Sequence, residues 1–190
     1  MLQSPNSFAK SLGADLRALR KARGLTLIDM AERLGRSVGW LSQVERDKSD
    51  PSITDLQAIA KCLDVPMSML FGQNDMPAEE HGYVVRAESR RPIGSKDEGL
   101  VEELLSPDLT DDFEMVHSTF QPHSRLKERI SRPTQEVGYL ISGQLEITVG
   151  KRTFLIKAGD SFRIRGEAYL WANPFDEPAA AIWVIAPPVY

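Results

Sequence analysis

The chain has 190 residues, 42% of them hydrophobic and 26% charged, enough for one large or two small domains with their own cores. No apolar run reaches the roughly 20 residues of a membrane helix. The N-terminal MLQSPNSFAKSL lacks the charged-then-apolar pattern of a secretory signal. A single cysteine, Cys62, excludes an intramolecular disulfide and fits a reducing cytoplasm, the expected location. The net charge of −4 hides an asymmetry: residues 1–72 hold 10 Lys/Arg against 8 Asp/Glu, and residues 73–190 hold 13 against 19. A mildly basic N-terminal part and an acidic remainder argue against loose coating of nucleic acid and suit few phosphate contacts per subunit.

The apolar spacing predicts a first helix over residues 8–22, with Leu12, Leu16 and Leu19 inward. Arg17, Arg20, Lys21 and Arg23 gather towards its end, either complementing the helix dipole or lying along a phosphate backbone. The segment TLIDMAERLGRSVGWLSQVER, Thr26 to Arg46, then reads as two short helices around a tight turn. Leu27, Met30, Ala31 and Leu34 mark one buried face, Thr26 and Asp29 form a capping-box pattern, and Gly35 supplies the left-handed exit. Ser37 caps the second helix, which Leu41 and Val44 anchor inward. Two helices so joined form a helix-turn-helix, with the second presented to a DNA groove. Ser52 caps a fourth helix carrying Ile53, Leu56, Ile59, Ala60 and Leu63, and Pro66 opens a fifth short one with Met67, Leu70 and Phe71.

Residues 12–71 resemble the DNA-binding domain of the XRE family of bacterial and phage regulators, through GLTLIDMAERLG, SxxxLSxVE and SDPSITDLQAIAKCLDV. The resemblance implies a five-helix bundle. Many members carry Gln at the start of the first motif helix, as a phosphate contact; here that position is Leu27, which leaves only backbone N–H groups for the purpose. Residues at the N-terminal end of the second motif helix reach base edges in this docking mode. The expected reading face is Ser37, Val38, Gly39, Trp40 and Gln43, with Arg36, Ser42 and Lys48 on phosphate. One small motif buries too little surface for tight specific binding, so a homodimer on a palindromic double-stranded operator is expected.

A polar Gly- and Pro-containing stretch suggests domains at 1–72 and 82–190 with a linker at 73–81. Beyond it, short runs such as FEMVHSTF, EVGYLISG, TFLIKAG and AAIWVIA, separated by Gly, Pro and Asp, predict an all-β sandwich or barrel. EVGYLISG (Glu136 to Gly143), AGDSF (Ala158 to Phe162), Asn173-Pro174 and Glu177-Pro178-Ala179 resemble the two motifs of the cupin superfamily. The fold class is therefore a multidomain α + β chain, an all-α helix-turn-helix bundle followed by an all-β cupin barrel.

Metal-binding cupins use three His and one Glu. Alignment puts Ile130, Arg132 and Tyr169 at the three His positions, and only Glu136 remains. Isoleucine cannot ligate and a guanidinium opposes a cation. His117 and His123 do not align. The expectation is a barrel without metal, cofactor or catalytic residues, and a chain that is not an enzyme. Arg132, Glu136, Tyr169 and Trp171 can share the barrel interior with Phe162 and Ile164, and form a clamp for a small effector bearing an amine and a carboxylate. The chain then reads as a repressor with a metabolite sensor. A DNA-tethered metal-dependent cupin enzyme, and a regulator whose cupin only dimerises, are the alternatives.

Overall fold

A computed structural model describes residues 12–70, 77–80, 82–93, 99–107, 109 and 111–189. The chain divides into two units, Met1–Arg91 with Pro107–Thr110, and Pro92–Ser106 with Asp111–Tyr190. Phe71 and most of the stretch at 73–81 fall outside the described residues.

The first unit holds α1 (Leu12–Ala22), α2 (Leu27–Leu34), α3 (Val38–Val44) and α4 (Ile53–Leu63). Local chemistry sets their ends. Thr26 accepts from the Asp29 N–H while the Asp29 carboxylate takes the Thr26 N–H, and Ser52 with Asp55 repeats the box on α4. Both carboxyls are thereby held below the usual carboxylate range, chiefly by the Thr26 and Ser52 hydroxyls. Gly35 ends α2 at φ 61, and Ser37 accepts the Trp40 N–H to start α3. Leu16, Leu19, Met30, Ala31, Leu41, Val44, Leu56, Ile59 and Leu63 form the core.

Three expectations are corrected. Among the described residues there are four α-helices, not five: after Pro66 the chain makes a 3-10 turn, Met67–Leu70, whose Met69 N–H bonds the Pro66 carbonyl. Four residues are too few for a ladder of i→i+4 bonds, and burial of Met69 and Leu70 holds the tighter turn. Ile53, the first residue of α4, is 69% exposed, while Leu56, Ile59, Ala60 and Leu63 on the later turns are buried. Arg20 is buried and leaves the set of phosphate candidates. Its guanidinium donates to both oxygens of Glu45, at 2.6 and 2.9 Å, and to the Leu25 carbonyl.

The second unit is built on two sheets, antiparallel in every described pairing from the second strand to the tenth. Six strands run in the order β1-β2-β3-β10-β5-β8, with β1 (Arg91–Ile93), β2 (Leu100–Leu104), β3 (Glu114–Phe120), β5 (Gln135–Ser142), β8 (Ser161–Arg165) and β10 (Ala179–Ala186). Four more run β4-β9-β6-β7, with β4 (Ser124–Arg125), β6 (Gln144–Val149), β7 (Arg152–Lys157) and β9 (Tyr169–Asn173). Burial alternates along β3, β5, β9 and β10, so each strand turns every second side chain to the space between the sheets. Buried Asn173 donates to the Phe120 and Glu177 carbonyls.

Gly138 is required by a close approach: a Cβ there would lie 2.2 Å from Phe162 Cζ. Phe162 in turn packs edge-on against Trp183 at 4.8 Å. Gly138→Ala should cost the β unit about 1–3 kcal/mol through overpacking. Denaturant unfolding followed by tryptophan fluorescence would register it; an unchanged midpoint would mean that Phe162 moves aside freely.

Candidate functional site

The second motif helix offers its N-terminal end to solvent. Ser37, Val38, Gly39 and Gln43 are exposed, and Trp40 and Ser42 are half-buried. Ser37 is committed as the helix cap through its hydroxyl. Among the described residues, and apart from its chain neighbours and its own helix backbone, a Cβ built on Gly39 meets only the Ser37 Oγ, at 4.0 Å, so a backbone could approach closely there.

Arg36 is engaged rather than loose. Its Nε and Nη2 both donate to Asp55 Oδ1, at 3.0 and 2.6 Å, and its guanidinium lies 5.1 Å from the Trp40 ring centroid. The Arg36 side chain remains half exposed and no described bond uses its Nη1. Asp55 thus fixes the direction of a cation beside the reading helix. Trp40 serves as the floor beneath that cation. The spacing of Arg36 and Asp55, nineteen residues apart and on different elements, carried no signal in the sequence. Lys48 is exposed, and its N–H to the Gln43 carbonyl closes the turn after α3.

In the β unit, Arg132, Glu136, Tyr169 and Trp171 come together in one cavity of about 160 Å³. The cavity has aromatic and aliphatic walls from Phe120, Trp171, Trp183, Leu126, Ile130 and Ile185. Glu136 is 2% exposed; one carboxylate oxygen accepts the Thr134 hydroxyl at 2.8 Å and the other the Tyr169 hydroxyl at 3.2 Å. Burial, then the Glu136 charge, push the Tyr169 phenol far above its ordinary range, with Arg132 opposing the shift. The phenol therefore stays protonated and remains a donor. Tyr169 is fixed in its turn by paired backbone bonds with Ile130, at 2.9 and 3.0 Å.

Glu102 and Trp183 also line the cavity and were missed in the sequence. Glu102 accepts the Ser118 hydroxyl at 3.1 Å. The alternation Ala179, Ala181, Trp183, Ile185 along β10 was a usable signal for Trp183. LVEEL carries adjacent glutamates, and nothing in it says which of the two points inward. Phe162 packs on Trp183 from outside this cavity, and Ile164 is buried in the core. His117 lies off the cavity, 3.7 Å from Glu103 across the β2–β3 pair, and His123 contacts Asp176 in an exposed turn. Among the described residues no three of His, Cys, Asp or Glu come together. No helix among them is long and apolar enough to cross a membrane.

Known proteins share both halves. The helix-turn-helix domain family matches residues 11–70 and the cupin domain family matches residues 116–185. The HTH-type transcriptional regulator PuuR of Escherichia coli K12 is 28% identical over 155 residues, 80% of this chain and 81% of PuuR. SutR, another HTH-type transcriptional regulator of that organism, is 40% identical over 62 residues, 33% of this chain and 35% of its own. An HTH_3-family transcriptional regulator from Vibrio cholerae of known structure covers 95% of this chain and 97% of its own, at 24% identity and a TM-score of 0.46. The two domain matches in this order, with a regulator related over about four fifths of both chains, assign the chain to the XRE-type helix-turn-helix transcriptional regulators that carry a cupin domain.

Proposed function

We propose that this regulator is a dimeric repressor that reads a palindromic operator with α3 and responds to a small metabolite held in the barrel cavity. The observation that carries the sensing role is the convergence of Arg132, Glu136, Tyr169 and Trp171 on one partly open, aromatic-walled cavity. Ligand sites combine apolar walls with a few convergent polar groups. About 160 Å³ is well below the roughly 300–1,000 Å³ of drug-sized pockets, which restricts the ligand to a small metabolite.

A carboxylate would pair with Arg132 and an ammonium with Glu136, against the Trp171 and Tyr169 faces. Glu102 gives the cavity two carboxylates to one guanidinium, which favours an amine without a carboxylate as the second choice. The Tyr169 hydroxyl and Thr134 hydroxyl orient the Glu136 side chain in the cavity. A thermal-shift screen of amines, amino acids and short organic acids tests the reading; no stabiliser among them would count against a sensor and leave the cupin a dimerisation domain.

On DNA, Gln43 pairs with adenine N6 and N7, Val38 lies against a thymine methyl, and Gly39 admits the backbone. Ser37 and Trp40 complete the face, and Ser42, Lys48 and the uncommitted Nη1 of Arg36 meet phosphate. Gln43→Ala should cost roughly 1–3 kcal/mol on the operator and little on random DNA. Equal loss on both in an anisotropy titration would remove Gln43 from the readout. Lys48→Glu should weaken binding to every sequence and flatten the salt dependence by about one unit. An unchanged slope would take Lys48 off the phosphate.

A further inference from the structure

We propose that the outer face of the six-stranded sheet packs face to face on the same face of a second copy of this chain, about a two-fold axis running along the strands. This rests on the dimeric reading above and adds which surface is used and how it is oriented.

The face is apolar at its centre. Val137, Tyr139 and Ile141 on β5 and Val184 on β10 are 48%, 49%, 45% and 38% exposed. The registers join Val137, Tyr139 and Val184 into rows across the sheet. One row runs Glu103, His117, Ile182, Tyr139, Ser161, and the next Met115, Val184, Val137, Arg163. Apolar side chains gathered in this way mark an interface rather than the scattered exposure of an ordinary surface. From β2 to β8 the face is about 20 Å wide and about 25 Å long. With the relief of its side chains, that approaches the roughly 800 Å² per partner that a stable interface buries.

Charge selects the occupant and its orientation. Glu103 lies on β2, one strand in from β1, with His117 beside it. Arg163 and Arg165 stand exposed at the β8 edge, and even with Glu167 near them that edge carries two guanidinium groups against one carboxylate. An axis along the strands, centred on the β2–β8 part of the sheet, lays β2 of each copy over β8 of the other, so the acid–base contact forms twice. An axis across the strands would set Arg163 and Arg165 against their own copies. The rows of Glu103 and Arg163 differ by one step of two residues, about 7 Å, within reach of an arginine.

Sedimentation of the full chain and its variants tests this, with circular dichroism confirming that each variant is folded. The wild type should be dimeric at micromolar concentration. Tyr139→Glu should weaken the dimer by about 100-fold or more, and Val184→Lys likewise, since each buries two charges at the centre. Phe154→Glu, an equally exposed aromatic on the four-stranded sheet, should leave it unchanged. Glu103→Arg and Arg163→Glu should each weaken it by about fivefold, and the double swap should restore it. A wild-type monomer would overturn the dimeric reading itself. A dimer indifferent to Tyr139→Glu and Val184→Lys would keep that reading and overturn this face. Loss with both single swaps and no recovery in the double would overturn the axis.

Discussion

Glu45→Ala should cost the helical unit about 3–5 kcal/mol, the largest single-residue effect expected in this chain. Glu45 and Arg20 are 7% and 6% exposed, and the carboxylate takes two guanidinium bonds, at 2.6 and 2.9 Å. Truncating the acid leaves a guanidinium in the interior with only the Leu25 carbonyl as described partner. Only 8% of the Arg20 side chain is open to water. Replacing both partners by apolar residues of similar size, Arg20→Met with Glu45→Leu, should come close to the wild type, because desolvation of the pair offsets much of its attraction. Glu45 directly follows α3 as its C-cap, so the pair also fixes the end of the reading helix to α1. Urea unfolding followed at 222 nm, where the helices dominate, measures the loss. A change below about 1 kcal/mol would mean that the pair is solvated, as exposed pairs are.

The second large effect concerns the cavity. Glu136→Gln keeps the side-chain volume and an oxygen acceptor for one of the Thr134 and Tyr169 hydroxyls while removing the charge. It should cost an ammonium-bearing ligand roughly 2–5 kcal/mol of affinity, the usual loss when a buried, hydrogen-bonded charge pair is broken. Glu136→Ala should abolish the ligand response altogether and also lower stability, because two buried hydroxyls lose their acceptor. Arg132→Ala should abolish the response to carboxylate-bearing ligands only. Each variant should bind operator like the wild type when no ligand is present. Calorimetry with whichever compound stabilises the wild type reads the affinity; an unaltered constant for Glu136→Gln would take Glu136 out of the clamp.

The helix-turn-helix was legible residue by residue because its signals are local. Thr26, Asp29, Gly35, Ser37 and Ser52 act on backbone groups within three or four positions of themselves, so order along the chain gives order in space. Alternation did the same for the strands, and for Glu136, Tyr169 and Trp171 in one cavity. What escaped was long-range. Arg20 with Glu45, and Arg36 with Asp55, pair across 25 and 19 residues, and charge alone does not distinguish a buried partner from a phosphate-seeking one. Glu102 enters the cavity by the register of β2 on β3, where Glu102 meets Ser118 and Glu103 meets His117. A slip of one residue would have exchanged their faces. Ile53 failed for a different reason: an apolar residue at a helix start satisfies the pattern whether or not the first turn is covered.

The capping carboxylates add a pH dependence of known sign. Asp29 and Asp55 are depressed in the folded chain, so their contribution is present above the unfolded carboxylate range and is lost as pH falls through the folded values. Both sit on the motif or beside it, and Asp55 also holds Arg36.

The most direct test of a ligand-responsive operator binder is one anisotropy experiment. Duplexes selected from a random pool by the purified full-length protein are titrated with and without the stabilising amine or amino acid. The predicted result is a single enriched palindrome whose affinity moves by about 5- to 150-fold with the ligand, the span of ordinary coupling between two sites. The contradicting result is an operator affinity that no cavity-binding compound changes, or no enriched sequence at all.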